Sequence, residues 1–135
     1  MTGNRGETLI EFALALMLFL VTILGTMTFG LVVFRYNMLS DLAQEGARRA
    51  SVCGVHSGLG SANCDVVAFV QARALGINVT SAGGSVIVTP PDYRTTLDAG
   101  ESVTVQVTHR INPLTRIIPV GTLTLSSSAT MIASY

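Results

Sequence analysis

The 135-residue sequence contains no tryptophan and no lysine, and only 12% of its residues are charged. Its eight arginines balance eight acidic residues, so the chain lacks the positive excess that binds nucleic acid. Aromatic residues make up 6% of the chain, which also disfavours a surface that binds bases or sugars by stacking. We therefore expect no nucleic-acid partner.

Patterns of catalytic residues are equally scarce. Ser57 lacks flanking glycines at the spacing of a nucleophile elbow, and His109 continues an alternation of valines that indicates a strand residue at the edge of a core. The acids Asp92, Asp98 and Glu101 lack the regular spacing of an EF-hand loop, which favours solvated turn acids over a calcium site. We expect no enzyme activity, no cofactor and no small-molecule substrate.

The chain does have one long uncharged apolar run, from Phe12 to Phe34. As a helix it would be about 34 Å long, slightly more than the hydrocarbon thickness of a bilayer. It is longer than the apolar core of a secretory signal, and no small-residue cleavage site follows it. The run is predicted to span a membrane. Glu11, a carboxylate at its edge, is a candidate functional residue because an ionisable group there costs free energy.

Two motifs on this segment resemble those of a known family. A short polar leader with Arg5 and Gly6 precedes Glu11 and the apolar run, which is the arrangement of type IV prepilins. The residues TLIEFAL at 8–14, followed by AQEGARRA at 43–50, resemble the TadE family of minor pilins. Both motifs lie on one continuous segment, which makes a chance match improbable.

The resemblance implies a role in subunit assembly. A prepilin peptidase would remove residues 1–6 by cutting between Gly6 and Glu7, and Glu11 and Phe12 would serve assembly, with Glu11 pairing with the N-terminal amine of a neighbouring subunit. The implied partners are cytoplasmic membrane lipid, the peptidase, other pilin subunits and the Tad assembly machinery. The implied function is that of a minor pilin or pseudopilin of a Tad-type pilus or secretion apparatus, which supports pilus biogenesis and surface adherence.

The residues also leave an alternative open, an uncleaved single-pass signal anchor that presents a small extracytoplasmic binding domain. In that protein Glu11 would extend to the cytoplasmic interface, as long polar side chains do near a helix end. Both readings place the protein in the bacterial cytoplasmic membrane with its head outside, and only the first adds assembly into a surface pilus. They differ in processing, because a signal anchor keeps residues 1–6.

Cys53 and Cys64 enclose ten residues that include several glycines. If the head lies outside the cytoplasm, the pair predicts a disulfide. Closing such a loop would contribute on the order of 2–3 kcal/mol in the chain-entropy model. Two alternatives remain, a pair of free thiols and a metal site that adds His56 and Asp65, although that spacing matches no zinc motif.

The organisation follows from the change in periodicity along the chain. One long helix is predicted over residues 7–52, with its membrane span at about 12–34, after a leader of residues 1–6. The second half of this helix is amphipathic, and the head that covers it occupies residues 53–135. The apolar face of the second half comprises Tyr36, Leu39, Ala43, Ala47 and Ala50.

The head is predicted to be α+β, with a second helix packed on an antiparallel sheet of about three strands. Asn63 or Asp65 can cap that helix and Gly76 can close it. Its apolar face comprises Val66, Val67, Phe69, Val70, Ala74 and Leu75. Alternation of apolar and polar residues then predicts sequential strands at 86–88, 103–107 and 123–135, joined as a meander.

Overall fold

The computed structural model describes residues 5–54, 58, 64–80, 83–111 and 122–134. His56, Ser57, Asn63 and the end of the last predicted strand, Tyr135, lie outside these ranges, as does most of the leader. The chain divides into two compact units, residues 1–34 and 35–135. The elements in chain order are α1 (Arg5–Ser51), α2 (Val66–Arg73), β1 (Gly84–Thr89), α3 (Tyr93–Thr96), β2 (Ser102–Ile111) and β3 (Leu123–Ile132). The predicted α+β class with a three-stranded antiparallel sheet is confirmed.

The first unit consists of the apolar part of α1. Every side chain from Gly6 to Leu31 is exposed in the isolated chain. The described helix begins at Arg5, within two residues of the predicted start at about Glu7.

In the second unit, α1 supplies one wall of the core. Leu39, Ala43, Ala47 and Ala50 are buried as predicted. Tyr36 is 48% exposed, so its predicted place in the core is wrong. It lies one helical turn before Leu39, the first fully buried residue of the helix. The helical period identified the correct face, but it does not show at which residue the head begins to cover that face. Small side chains dominate the buried stripe after Leu39, which allows other elements to approach the helix axis closely.

The short helix α2 begins at the predicted cap. The carboxylate of Asp65 accepts a hydrogen bond of 3.0 Å from the backbone N–H of Ala68. Gly76 has a φ of 77°, the left-handed conformation predicted for it. The helix nevertheless ends at Arg73, and Leu75 is 77% exposed, which corrects its predicted place on the apolar face. Beyond the last helical residue, the helical period no longer decides which side chains face the core.

The sheet has the order β1-β2-β3 with both pairs antiparallel, the predicted meander. Val103, Val105 and Val107 on β2 are fully buried, as their alternation predicted. The same alternation continues to His109, which is buried and whose Nδ1 lies 2.9 Å from the carbonyl oxygen of Asn78. A carbonyl oxygen only accepts, so Nδ1 of His109 donates this hydrogen bond. The histidine is a strand residue at the edge of the core.

Two local features of the head were not predicted. The connection between β1 and β2 contains α3, and Tyr93 at its start is buried. Gly84 begins β1, two residues before the predicted strand at 86–88. A Cβ at Gly84 would overlap the backbone oxygen of Thr108 on β2, so the strand pairing requires glycine there.

Candidate subunit-assembly site

The residues predicted to serve processing and assembly all lie in the first turns of α1. Gly6 is exposed within the helix, and a Cβ added there would meet no other atom within 4 Å. Glu7 and Glu11 are exposed and four residues apart, so they share one face of the helix. Phe12 is 66% exposed beside them. The structure therefore presents all four residues on an accessible surface.

The electrostatics of this end of the helix favour acids. The N-terminus of an α-helix carries a partial positive charge, which stabilises a nearby carboxylate such as that of Glu7 by about 0.3–1 kcal/mol. Within the described residues, Glu11 has no ion-pair partner. No basic residue follows it until Arg35. The apolar run therefore offers Glu11 no cationic partner.

The helix that follows Glu11 has an apolar surface on every side. It is long and apolar enough to cross a membrane, by length and composition, and none of its most apolar window is buried within the protein. Soluble monomers rarely expose apolar patches larger than a few hundred Å². A surface of this kind is typical of a helix that contacts lipid or other helices, so α1 is compatible with membrane anchoring.

The motif AQEGARRA at 43–50 has a structural explanation in the head. Gly46 lies where α1 meets both α2 and β2, and a Cβ at this position would be 2.9 Å from Cγ2 of Val70 and 3.1 Å from Cγ1 of Val105. The neighbouring Ala43 and Ala47 are buried with exposures of 1% and 0%. The small residues of the motif therefore let the helix lie close to the rest of the core.

The charged residues of the same motif bind the second helix. Glu45 forms an ion pair with Arg73 of α2. The guanidinium groups of Arg49 and Arg73 lie 5.5 and 5.1 Å from the ring centre of Phe69, within the range of cation–π attraction. Sequence analysis missed this cluster because its members come from helices far apart in sequence. The only available signal was the pattern of two arginines following a glycine on an amphipathic helix.

Cys53 and Cys64 form the predicted disulfide, with a Cα–Cα distance of 5.6 Å. Both sulfurs are thereby used, so the alternative metal site with Asp65 is excluded, and its fourth member, His56, lies outside the described residues. No group of three or more metal-ligating side chains occurs in the part of the chain that the structure describes. Asp92, Asp98 and Glu101 are exposed.

Comparison with known proteins identifies the N-terminal segment. Neither the curated proteins nor the solved structures contain a significant match to this chain. A family model described as TadE-like protein matches residues 6–48, which include Gly6, Glu11, the apolar run and most of the AQEGARRA motif. Over this segment the chain is similar to the TadE-like proteins, and the resemblance predicted from its motifs is confirmed.

Proposed function

We propose that the protein is a minor pilin or pseudopilin subunit of a Tad-type pilus or secretion apparatus. The observation that carries the proposal is the first part of α1, where an exposed apolar run follows Glu11 within the TadE-like match. The role is structural and uses no catalytic group. Before assembly, α1 would hold the subunit in the cytoplasmic membrane, with residues 53–135 outside the cytoplasm.

Processing would prepare the subunit for assembly. A prepilin peptidase that cuts between Gly6 and Glu7 would leave a new amine on Glu7, one helical turn from Glu11. The exposure of Gly6 and Glu7 in the structure supports access to this bond. The absence of a side chain at Gly6 leaves room for the groups of a peptidase. The disulfide in the head supports an oxidising location outside the cytoplasm.

Assembly would then depend on charge as well as on apolar packing. In a bundle of apolar helices, Glu11 would pair with the N-terminal amine of a neighbouring pilin subunit. Removing one partner of a buried ion pair is strongly destabilising, about 3–5 kcal/mol, because the other charge is left uncompensated. Such a pair fixes the axial register of one helix against the next, since a displaced helix would leave both charges unpaired.

The experiment that tests this role compares a strain lacking the protein with one that expresses the full chain at its native level. The proposal expects loss of surface pili and of adherence in the first strain and their recovery in the second, with the protein co-purifying with other pilins. Filaments and adherence that do not change on deletion would contradict it. If, in addition, the protein in the membrane of the expressing strain retained Arg5, the two results together would favour the signal-anchor alternative.

A further inference from the structure

The outer edge of β3 is an unusually open template for strand pairing. β3 is the last strand of the described sheet and pairs only with β2. Its ten residues, LTLSSSATMI, include no charge, no proline and no glycine. Charges and prolines on the edge strands of soluble proteins prevent pairing with another chain. Along its ten described residues, β3 has neither of these protections.

The hydrogen-bond pattern shows which backbone groups of β3 point away from the sheet. Ala133, just past the strand, donates its N–H to the carbonyl oxygen of Glu101 over 2.7 Å, so residue 133 faces the β2 side. Successive residues of a strand alternate in this direction. The even-numbered residues of β3, from Thr124 to Ile132, therefore direct their N–H and C=O groups outward. These groups have no hydrogen-bond partner among the residues that the structure describes.

The side chains of β3 are arranged symmetrically about Ser127. Reading outward from this residue in either direction, a serine comes first, then an apolar residue, then a threonine, then an apolar residue. The matched positions are Ser126 and Ser128, Leu125 and Ala129, Thr124 and Thr130, and Leu123 and Met131. An antiparallel strand placed opposite an identical one meets its own sequence in reverse. A symmetric pattern therefore complements itself.

We propose that β3 pairs with β3 of a second copy of this chain, in antiparallel register about a two-fold axis at Ser127. In this register Ser126 lies opposite the partner's Ser128, and Thr124 lies opposite the partner's Thr130. Both pairs use the outward-facing groups, and with their symmetric counterparts they form about eight backbone hydrogen bonds. Two sheets of three strands become one continuous sheet.

The incomplete burial of the core-facing side chains of β3 also supports pairing with a second copy of the chain. Leu125, Ala129 and Met131 are only partly buried, whereas Val105 and Val107 on the adjoining strand are fully buried. In the paired sheet Leu125 lies opposite the partner's Ala129, and Leu123 opposite the partner's Met131. Each copy thus extends the apolar surface of the other over residues that the single head covers incompletely.

The symmetry also limits what the contact can build. A two-fold contact closes on itself, so it joins two copies and does not propagate into a filament. The half-turn reverses the direction in which α1 residues 35–51 cross the sheet. The contact therefore fits two copies whose α1 helices run in opposite directions, as from two facing surfaces, better than two neighbours in one membrane. It rests on β3 alone and does not depend on the proposed pilin role.

Cysteine crosslinking of the full chain in detergent tests the register. The two Ser127 residues form the central pair that is not hydrogen-bonded, with Cα atoms about 4.5 Å apart, within the range of a disulfide. Ser127→Cys should give a covalent dimer under mild oxidation on a non-reducing gel, and peptide mapping should find the two introduced thiols linked to each other. In the matched control Ser128→Cys, the Cα atoms lie about 8–9 Å apart, and the chain should remain monomeric. Equal crosslinking of both variants, or of neither, would overturn the proposal.

A charge exchange in the Ser127→Cys background tests the contact independently. Ser128→Lys should reduce the dimer roughly fivefold, because an edge lysine opposes pairing. Adding Ser126→Glu should restore it, because residue 126 lies opposite the partner's residue 128. Circular dichroism should show the same secondary structure in both variants. A double variant that crosslinks no better than Ser128→Lys alone would refute the register.

Discussion

The hydroxyl group of Tyr93 donates a 2.6 Å hydrogen bond to the carbonyl oxygen of Cys64, 29 residues earlier in the chain. The same hydroxyl accepts hydrogen bonds from the backbone N–H of Val66 and from Nε of Arg94. The bond with Tyr93 raises the pKa of the Arg94 guanidinium. One buried side chain thus connects α3 to the disulfide and to the start of α2.

Tyr93→Phe should destabilise the head by about 1–2 kcal/mol, because it leaves buried backbone groups with one partner fewer. Hydrogen-exchange mass spectrometry of the full chain in detergent would measure the change as faster exchange around Cys64 and Val66. Thr95→Ala is a matched control, since it removes an exposed hydrogen bond of the same short helix and should have little effect. Equal exchange in the Phe variant and the native chain would show that the network adds no stability.

Gly46→Ala should destabilise the head although alanine favours helix more than glycine. The higher helix propensity of alanine stabilises the helix by about 1 kcal/mol, whereas overpacking a core lowers the free energy of unfolding by about 1–3 kcal/mol. The added methyl group would press on Val70 and Val105, so Val70→Ala should partly rescue the variant. Gly25→Ala is the control, because its Cβ meets no atom within 4 Å. The same exchange measurement applies, and a Gly46 variant as stable as the control would contradict the close-packing role.

Replacing Cys64 with serine should lower the stability of the head by about 2–3 kcal/mol and leave membrane targeting unchanged. The disulfide connects the end of α1 to the start of α2, so its loss frees the connection between them. Protease resistance of the head and recovery of the chain in the membrane fraction would measure the two effects separately. The unsubstituted protein should also be unfolded without reductant and treated with an alkylating reagent. Quantitative reaction of its two cysteines would contradict the disulfide itself.

The mature chain should begin at Glu7. Intact mass of the protein from its native membrane should be lower than that of the full sequence by the mass of residues 1–6. Gly6→Leu should prevent this loss, because a bulky side chain occupies space that glycine leaves open, while insertion in the membrane persists. A mature chain that retains Arg5 would contradict the prediction and favour a signal anchor.

Glu11→Gln should leave membrane insertion intact and reduce filament assembly, because it keeps the shape of the side chain and removes its charge. Co-purification with other pilins and counts of surface filaments would measure the loss, and intact mass would exclude a processing defect. Moving the acid to position 10 or 12 should not rescue assembly, since one residue turns it by about 100° around the helix. Normal assembly by Glu11→Ala at native expression would rule out the ion pair.

The period and composition of the sequence were sufficient for much of this structure. The uncharged run at 12–34, the buried stripe of alanines and the alternation around Val105 each depend on local physics, because helices and strands bury faces with fixed periods. The TadE-like motifs and the pairing of Cys53 with Cys64 also follow from residues near one another in the chain. For the same reason Asp65 could be identified as a cap.

Tertiary structure alone decided where those local patterns stop and what they meet. Tyr36 and Leu75 fit their helical periods but are exposed, because burial depends on an opposing element that the period does not contain. The approach of Gly46 to Val105 and the bond from Tyr93 to Cys64 join residues distant in sequence. The symmetry of β3 about Ser127 was already present in the sequence. It supports pairing with a second copy only because the order of the sheet places that strand at an edge, with half its backbone groups directed outward.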